Sequence, residues 1–127
     1  MLIMQLIHAE LSEQILGCGS RVHRELGPGF LEKIYEEALG VGLASAGLCF
    51  ERPKLVPIRY ATTVVGDHRL DLPVEGTVVV ELKACGAIED IHLATARSYL
   101  KAASLQLALV INLARPTIEI KRVVLTR

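Results

Sequence analysis

Three residues whose side chains can do chemistry together lie in the most apolar part of the chain: Asp71, Glu81 and Lys83. Glu81 and Lys83 are two positions apart in a predicted strand, so their side chains point to the same face of the sheet. Carboxylate oxygens are the ligands that Mg²⁺ prefers, and the ion usually takes one or two of them and keeps several waters. A divalent cation held in this way polarises a phosphodiester oxygen and lowers the pKa of a bound water.

The same three residues are also typical of a solvated or salt-bridged strand face, which is the alternative reading of their spacing. Their surroundings favour a site, because an unneutralised charge in so hydrophobic a segment would be costly to bury.

Whether Asp71 joins the other two residues depends on the turn around Glu75 and Gly76. A two-residue loop pairs Asp71 with Val80, whereas a three-residue loop pairs it directly with Glu81. Three-residue hairpin loops commonly carry Gly at a left-handed position, for which Gly76 is a candidate.

In the second case the Cβ atoms of Asp71 and Glu81 would lie about 4.5 to 5.5 Å apart. The two carboxylates and the backbone carbonyl of Leu82 would then form a partial shell for Mg²⁺ or Mn²⁺. Lys83 would position or deprotonate the nucleophile, or stabilise developing charge.

Three helices are predicted to position these residues. A first helix carries apolar residues at steps of three and four from Leu11 to Leu26 and ends at the sequence Gly-Pro-Gly of residues 27–29. A second helix is predicted over about 30–46, with an inward stripe made of Leu31, Ile34, Ala38 and Val41. A third helix is predicted over 91–103 with Asp90 as its cap.

Between and after the helices, β-branched and apolar residues predict strands over 50–60, 64–74, 77–84, 105–113 and 117–125. Pro53 and Pro57 indicate an edge position or a bulge in the first strand. The predicted order is α-α-β-β-β-α-β-β, an α/β fold with a mixed sheet flanked by helices. We expect a single domain over residues 1–127, since no linker, repeat or low-complexity segment divides the chain.

Composition excludes several classes of protein. The chain is 51% hydrophobic and 22% charged, which is not the composition of a disordered or collagen-like protein. Its apolar runs are too short for a membrane helix, and its first residues lack the basic region and cleavage pattern of a signal peptide. We therefore expect a cytoplasmic location and no membrane partner. Three cysteines without C-x-x-C spacing indicate neither a disulfide framework nor a zinc site.

The 14 basic and 14 acidic side chains balance, so the net charge is zero. Proteins that bind phosphate backbones usually show a basic excess or a basic stripe. A nucleic-acid interface would therefore depend on a local site, on a bound metal, or on a homodimer that gathers basic residues.

Two motifs in this chain resemble those of a known family. Asp71, followed after nine residues by Glu81-Leu82-Lys83, is similar to the D-(x)n-E-x-K signature of the PD-(D/E)xK nuclease superfamily. Gly29, Glu32 and Tyr35 resemble the G-x-x-E-x-x-Y motif that names the GxxExxY branch. The resemblance runs from about residue 10 to residue 125.

That resemblance implies a restriction-endonuclease-like core with an acidic cluster at one end. It implies that Asp71 and Glu81 bind a divalent metal, that Lys83 assists catalysis and that Glu32 joins the cluster. The alternative for Glu32 is an exposed helix residue paired with Lys33 or with the neighbours of Glu36.

Three further residues are candidates for substrate contact or for support of the site: Tyr35, His92 and Thr95. Members of the branch often carry Gln where this chain has Thr95. The implied activity is a Mg²⁺- or Mn²⁺-dependent nuclease that hydrolyses phosphodiester bonds of DNA or RNA. The alternative is a nuclease-like fold that serves as a non-catalytic binding or assembly module.

Overall fold

The structure, a computed structural model, describes residues 7–51 and 54–126. These residues form three helices and six strands in the order α1, α2, β1, β2, β3, β4, α3, β5, β6. The helices are α1 (Ala9–Leu26), α2 (Glu32–Ser45) and α3 (Asp90–Ala103), and the strands are β1 (Lys54–Tyr60), β2 (Thr63–Leu70), β3 (Leu72–Val74), β4 (Val78–Lys83), β5 (Leu107–Asn112) and β6 (Glu119–Val124).

Strands β3 to β6 form the central sheet, in the spatial order β3-β4-β5-β6. Strands β4 and β5 are parallel and are joined through α3, while the β3/β4 and β5/β6 pairs are antiparallel. Strands β1 and β2 form a separate antiparallel hairpin. The predicted α/β fold with a mixed sheet between helices is confirmed.

The central sheet is covered on both faces, which explains why β5 is apolar throughout. On one face, Val80 and Leu82 of β4 belong to an apolar core with residues of α1 and α2, including Ile15 and Leu39. On the other face, Val79 belongs to a smaller core with residues of α3. Alternation along β4 therefore directs Glu81 and Lys83 to the α3 face, away from the larger core.

The inward face predicted for α2 is wrong at Leu31, Ile34 and Val41, while Ala38 does pack against the larger core. Ile34 is 42% exposed, Val41 is 69% exposed and Leu31 is largely exposed. In contrast, Leu39 and Leu43 are fully buried. This helix carries apolar residues on two faces, so periodicity alone could not choose between them. The face on the sheet is the one that also carries Tyr35, Glu36 and Gly40.

The strand predicted over 64–74 is two strands, β2 and β3, with Asp71 between them. Pro57 lies on β1, which pairs only with β2 among the described residues, and the register shifts directly after it between Ile58 and Arg59. The prediction of an edge position or a bulge is thus confirmed at Pro57, while Pro53 lies outside the described residues. Helix α3 begins one residue earlier than predicted, with Glu89 as its cap.

The three cysteines, Cys18, Cys49 and Cys85, are free thiols. Within residues 7–51 and 54–126, no helix combines the length and apolar character needed to cross a membrane.

Candidate active site

The hairpin between β3 and β4 has a loop of three residues, Glu75, Gly76 and Thr77. The N–H of Thr77 donates to the carbonyl of Val74 over 3.0 Å. Glu75 and Gly76 both have positive φ, at 54° and 66°. Gly76 therefore takes a left-handed position, where a residue without Cβ carries no steric penalty.

This loop length sets the register of the two acids. Leu72 pairs with Val80, so the next position back along the chain places Asp71 opposite Glu81. Of the two pairings left open by the sequence, the structure has the one that brings the carboxyl groups together.

Asp71 and Glu81 share a side-chain hydrogen bond, and each of the two carboxyl groups also accepts a hydrogen bond from a backbone N–H. The N–H of Leu82 donates to the Asp71 carboxylate, and the N–H of Asp71 donates to the carboxyl group of Glu81. Burial, followed by the negative charge of Asp71, raises the pKa of Glu81 to about 9. Glu81 therefore keeps its proton at neutral pH and donates it to Asp71.

One carboxyl oxygen of Glu81 is buried without a hydrogen-bond partner among the described residues. The residue is only 3% exposed, and its Oε1 has no hydrogen-bond partner among the described residues. A buried carboxyl oxygen without a partner costs free energy, so this atom is poorly satisfied in the structure as it stands.

Lys83 lies on the same face of β4 as Glu81 and is half-buried. Its positive charge acts on three carboxyl groups, those of Glu32, Asp71 and Glu81, and favours the ionised form of each. The structure thus brings the predicted D, E and K residues into one electrostatic cluster, together with Glu32 at the start of α2.

Glu32 is exposed, but it lies close enough to the cluster for its titration to change. Partial desolvation raises its pKa, the charge of Lys83 opposes this, and the charge of Asp71 adds to it. Lys33, the partner offered by the alternative reading, contacts Glu36 and Glu37 over 3.8 and 3.3 Å.

A fourth acid, Glu36, is buried at this site and was missed by the sequence analysis. It lies one helical turn after Glu32 and is 5% exposed. After burial, its charge is the largest contribution that raises the pKa of Asp71. Its Oε1, like that of Glu81, has no hydrogen-bond partner among the described residues. The spacing of four from Glu32 was the available signal, since it puts both acids on one helix face.

Arg69 is the second missed residue, and it connects the acids of α2 and of the hairpin. Its Nη2 lies 3.9 Å from Oε1 of Glu36, and its Nη1 lies 3.7 Å from Oδ1 of Asp71. The site therefore contains four carboxyl groups, those of Glu32, Glu36, Asp71 and Glu81. The cations closest to these groups are Lys33, Arg69 and Lys83.

A comparison with protein-family models matches residues 9–123 to the PD-(D/E)XK nuclease superfamily. The chain belongs to this superfamily. No curated protein and no solved structure gave a match. The match spans all of the helices and nearly all of the strands described above, so the shared feature is the whole domain rather than one motif.

PD-(D/E)XK nucleases generally use divalent metals, so the donor atoms of this chain can be tested against that requirement. Within the described ranges, no group of three or more His, Cys, Asp or Glu side chains is arranged to hold a metal ion. The chemistry nevertheless fits, because two buried carboxyl oxygens, on Glu36 and Glu81, lack hydrogen-bond partners and a hard cation takes oxygen ligands.

Tyr35 supports the loop that leads into α2. Its hydroxyl donates to the carbonyl of Gly27 over 2.7 Å and accepts from the N–H of Phe30 over 3.2 Å. The loop needs Gly at residue 29, where φ is 111°. Because the ring is fully buried and its hydroxyl is engaged with backbone, the geometry fits the supporting role and not substrate contact.

His92 and Thr95 are also engaged within their own helix. Nδ1 of His92 accepts from the N–H of Glu89 over 2.9 Å, as part of a capping box at the start of α3. The hydroxyl of Thr95 donates to the carbonyl of Ile91 over 2.9 Å. His92 still lies near enough to Glu32 to influence its pKa.

Tyr99 and His68 border the acids on the α3 side, and neither was predicted as a site residue. Burial raises the pKa of Tyr99, and the charges of Glu81 and Asp71 raise it further. The His68 ring meets it edge-on, with centroids 4.4 Å apart. His68 Nε2 also lies 3.3 Å from Oγ of Ser98.

Asn112 fixes the loop that connects Lys83 to α3. It is fully buried, and its Oδ1 accepts from the N–H of Cys85 over 3.2 Å while its Nδ2 donates to the Cys85 carbonyl over 2.9 Å. Nδ2 also donates to Oε1 of Glu119, which accepts from the N–H of Ile88 as well. Both ends of this loop are thereby tied to β5 and β6.

Proposed function

We propose that this chain is a divalent-metal-dependent nuclease that hydrolyses phosphodiester bonds, and that it belongs to the GxxExxY branch of its superfamily. The observation that carries the proposal is the pair of hydrogen-bonded carboxyl groups on Asp71 and Glu81, with a buried, unpartnered Oε1 on Glu81. A purely structural strand pair gains nothing from burying two acids against each other.

Asp71 and Glu81, with the backbone carbonyl of Leu82, are the proposed ligands for Mg²⁺ or Mn²⁺. Glu36 is a further candidate, because its oxygen is also buried and without a hydrogen-bond partner. When bound, the cation would supply Lewis acidity at a phosphodiester oxygen and a more acidic water. Before it binds, Glu81 must lose the proton that it shares with Asp71.

Lys83 and Glu32 are the proposed residues for handling charge and protons around the substrate. Lys83 is held by β4 within range of the carboxyl groups of Glu32, Asp71 and Glu81. It can therefore stabilise charge that develops on a phosphate or help to deprotonate the nucleophile. Glu32 is exposed to solvent beside Lys83, where it can accept a proton from a water.

The first test is a calorimetric titration of the protein with Mn²⁺ and with Mg²⁺ at pH 7.5. We expect binding in the wild type and its loss in Asp71→Ala and Glu81→Ala. Asp67→Asn is the matched control, since it removes an exposed carboxylate of β2, in the separate β1/β2 hairpin. Binding that survives both site substitutions would reject the proposed ligands.

The second test is cleavage of labelled single-stranded, duplex and branched DNA and RNA. We expect Lys83→Ala to lower the rate by about a hundredfold or more, with metal binding retained. Equal rates for the wild type and Lys83→Ala would attribute the hydrolysis to a contaminant.

A non-catalytic binding or assembly module is the second candidate. The balanced net charge and the engagement of the Thr95 hydroxyl within its own helix favour it, because both reduce what is available to hold a phosphate backbone. Such a module would be indifferent to metal, so the titration separates the two candidates.

A further inference from the structure

We propose that Arg69 is an exchangeable counter-ion: it neutralises Glu36 and Asp71 while no metal is bound, and it turns to a phosphate of the nucleic acid once a cation occupies the acids. This inference rests on the proposed function and assigns a role to two residues, Arg69 and Glu36, that the sequence motifs leave without one.

The contacts of Arg69 are those of a loosely held ion. The two nitrogen-to-oxygen distances, 3.9 Å to Glu36 and 3.7 Å to Asp71, both exceed the 2.7 to 2.9 Å or so of a charge-assisted hydrogen bond. The guanidinium therefore supplies charge to both acids without being fixed to either of them.

Arg69 is much more exposed than the two acids that it contacts. Glu36 is 7% exposed and Asp71 is 17% exposed at the side chain, whereas the side chain of Arg69 is 48% exposed. A buried acid cannot follow a cation outward, but a half-exposed arginine can rotate into solvent at little cost.

The position of Arg69 in β2 places it where a phosphate must approach. Arg69 is two residues before Asp71, and it contacts α2 through Glu36, while its neighbour His68 contacts α3 through Tyr99. Successive residues of a strand point to opposite faces, so the end of β2 enters the site between the two helices and Arg69 lies at its border.

Charge balance gives the direction of the exchange. A divalent cation on Asp71 supplies the positive charge that Arg69 now provides, and it repels the guanidinium at short range. The planar fork of an arginine matches two phosphate oxygens. In a chain with zero net charge, one released guanidinium is a sizeable part of what can attract a polyanion.

The experiment compares Arg69→Ala with Arg59→Ala. The control removes the same charge from the same hairpin, but at a position paired with Val64 near the tip. Each variant is titrated calorimetrically with Mn²⁺, and its affinity for a fluorescently labelled 12-nucleotide single strand is measured by anisotropy in Mn²⁺ at several salt concentrations, with strand integrity checked on a gel.

We expect Arg69→Ala to bind Mn²⁺ more tightly than Arg59→Ala, by about fivefold, the upper end for a half-exposed charge pair. We expect it to bind the oligonucleotide more weakly, with a salt slope reduced by about one. Arg69→Lys, which keeps the charge and loses the fork, should return the Mn²⁺ affinity to that of the wild type.

Two results would overturn the inference while leaving the nuclease proposal intact: an Mn²⁺ affinity of Arg69→Ala equal to or weaker than that of the control, or equal oligonucleotide binding by the two variants. If Arg69→Ala does not fold, as judged by its thermal melt, Arg69→Gln takes its place with the same expectations. Absence of Mn²⁺ binding in the wild type would instead reject the proposed function itself, and this inference with it.

Discussion

The first half of β4 consists of Val78, Val79 and Val80, all fully buried against apolar neighbours on both faces of the sheet. The next residue of the same strand is Glu81, which is almost as deeply buried but holds an ionisable group with an oxygen that has no hydrogen-bond partner among the described residues. Burial of the three valine side chains stabilises the fold, whereas burial of the Glu81 carboxyl group destabilises it. The carboxyl end of this strand therefore lowers the stability of the fold, as expected of a site that must bind a ligand.

The largest expected effect tests the apolar side of this comparison. Leu82 lies beside Glu81 but points into the core shared with α1 and α2. Leu82→Ala should lower the free energy of unfolding by about 3 kcal/mol, because it removes buried methyl groups and leaves a cavity. Urea denaturation measures this, and a loss below about 1 kcal/mol would mean that the core repacks around the gap.

A change of opposite sign is expected for the acid next to it. Glu81→Gln should raise the free energy of unfolding at pH 8 by about 1 to 3 kcal/mol, because an amide retains a hydrogen bond to Asp71 and, unlike Glu81, does not have to take up a proton on folding. The pKa of Glu81 is raised to about 9 in the folded state. The folded protein therefore keeps a proton that the unfolded chain releases near the ordinary glutamate pKa.

The pH dependence follows from that difference. Between the ordinary glutamate pKa of 4.5 and about 9, the unfolded state binds fewer protons than the folded state, so the stability of the wild type falls as pH rises. Thermal melts from pH 4 to pH 9 should show a gap between Glu81→Gln and the wild type that widens with pH. A constant gap would show that the titration of Glu81 does not contribute to it.

The smallest change in the free energy of unfolding is expected on the exposed face of α2. This helix has one exposed and one buried apolar face, so it offers a second comparison of the same kind. Val41 is 69% exposed and Leu39 is fully buried. Val41→Ala should change the free energy of unfolding by less than about 0.5 kcal/mol, whereas Leu39→Ala should cost about 2 to 5 kcal/mol. Equal losses in chemical denaturation would mean that the outer face of α2 is covered in solution.

Linear spacing was sufficient to predict the cluster on β4. Glu81 and Lys83 share a face because strand periodicity is exactly two, and no tertiary contact is needed to deduce it. The position of Asp71 was harder to predict, because Gly76 is compatible with loops of two or three residues. Only the observed pairing of Leu72 with Val80 decides the register.

Helix α2 shows where the sequence was insufficient. Ile34 and Val41 form as regular an apolar stripe as Leu39 and Leu43, and the choice between them depends on how α2 packs on the sheet. That error hid Glu36, since an acid on the wrong side of the helix is taken for a solvated one. Arg69 was hidden for a related reason, because its two partners come from different elements and no local pattern connects them.

The network around Asn112 has a consequence for motion near the site. The segment from residue 84 to residue 89 contains no regular secondary structure, yet the amides of Cys85 and Ile88 are held by Asn112 and Glu119. We therefore expect hydrogen exchange at those two amides to follow the opening of the β5/β6 pair and not fluctuation of the loop. For the same reason, we expect the start of α3, with His92, to move no more than the sheet edge to which the preceding loop is tied.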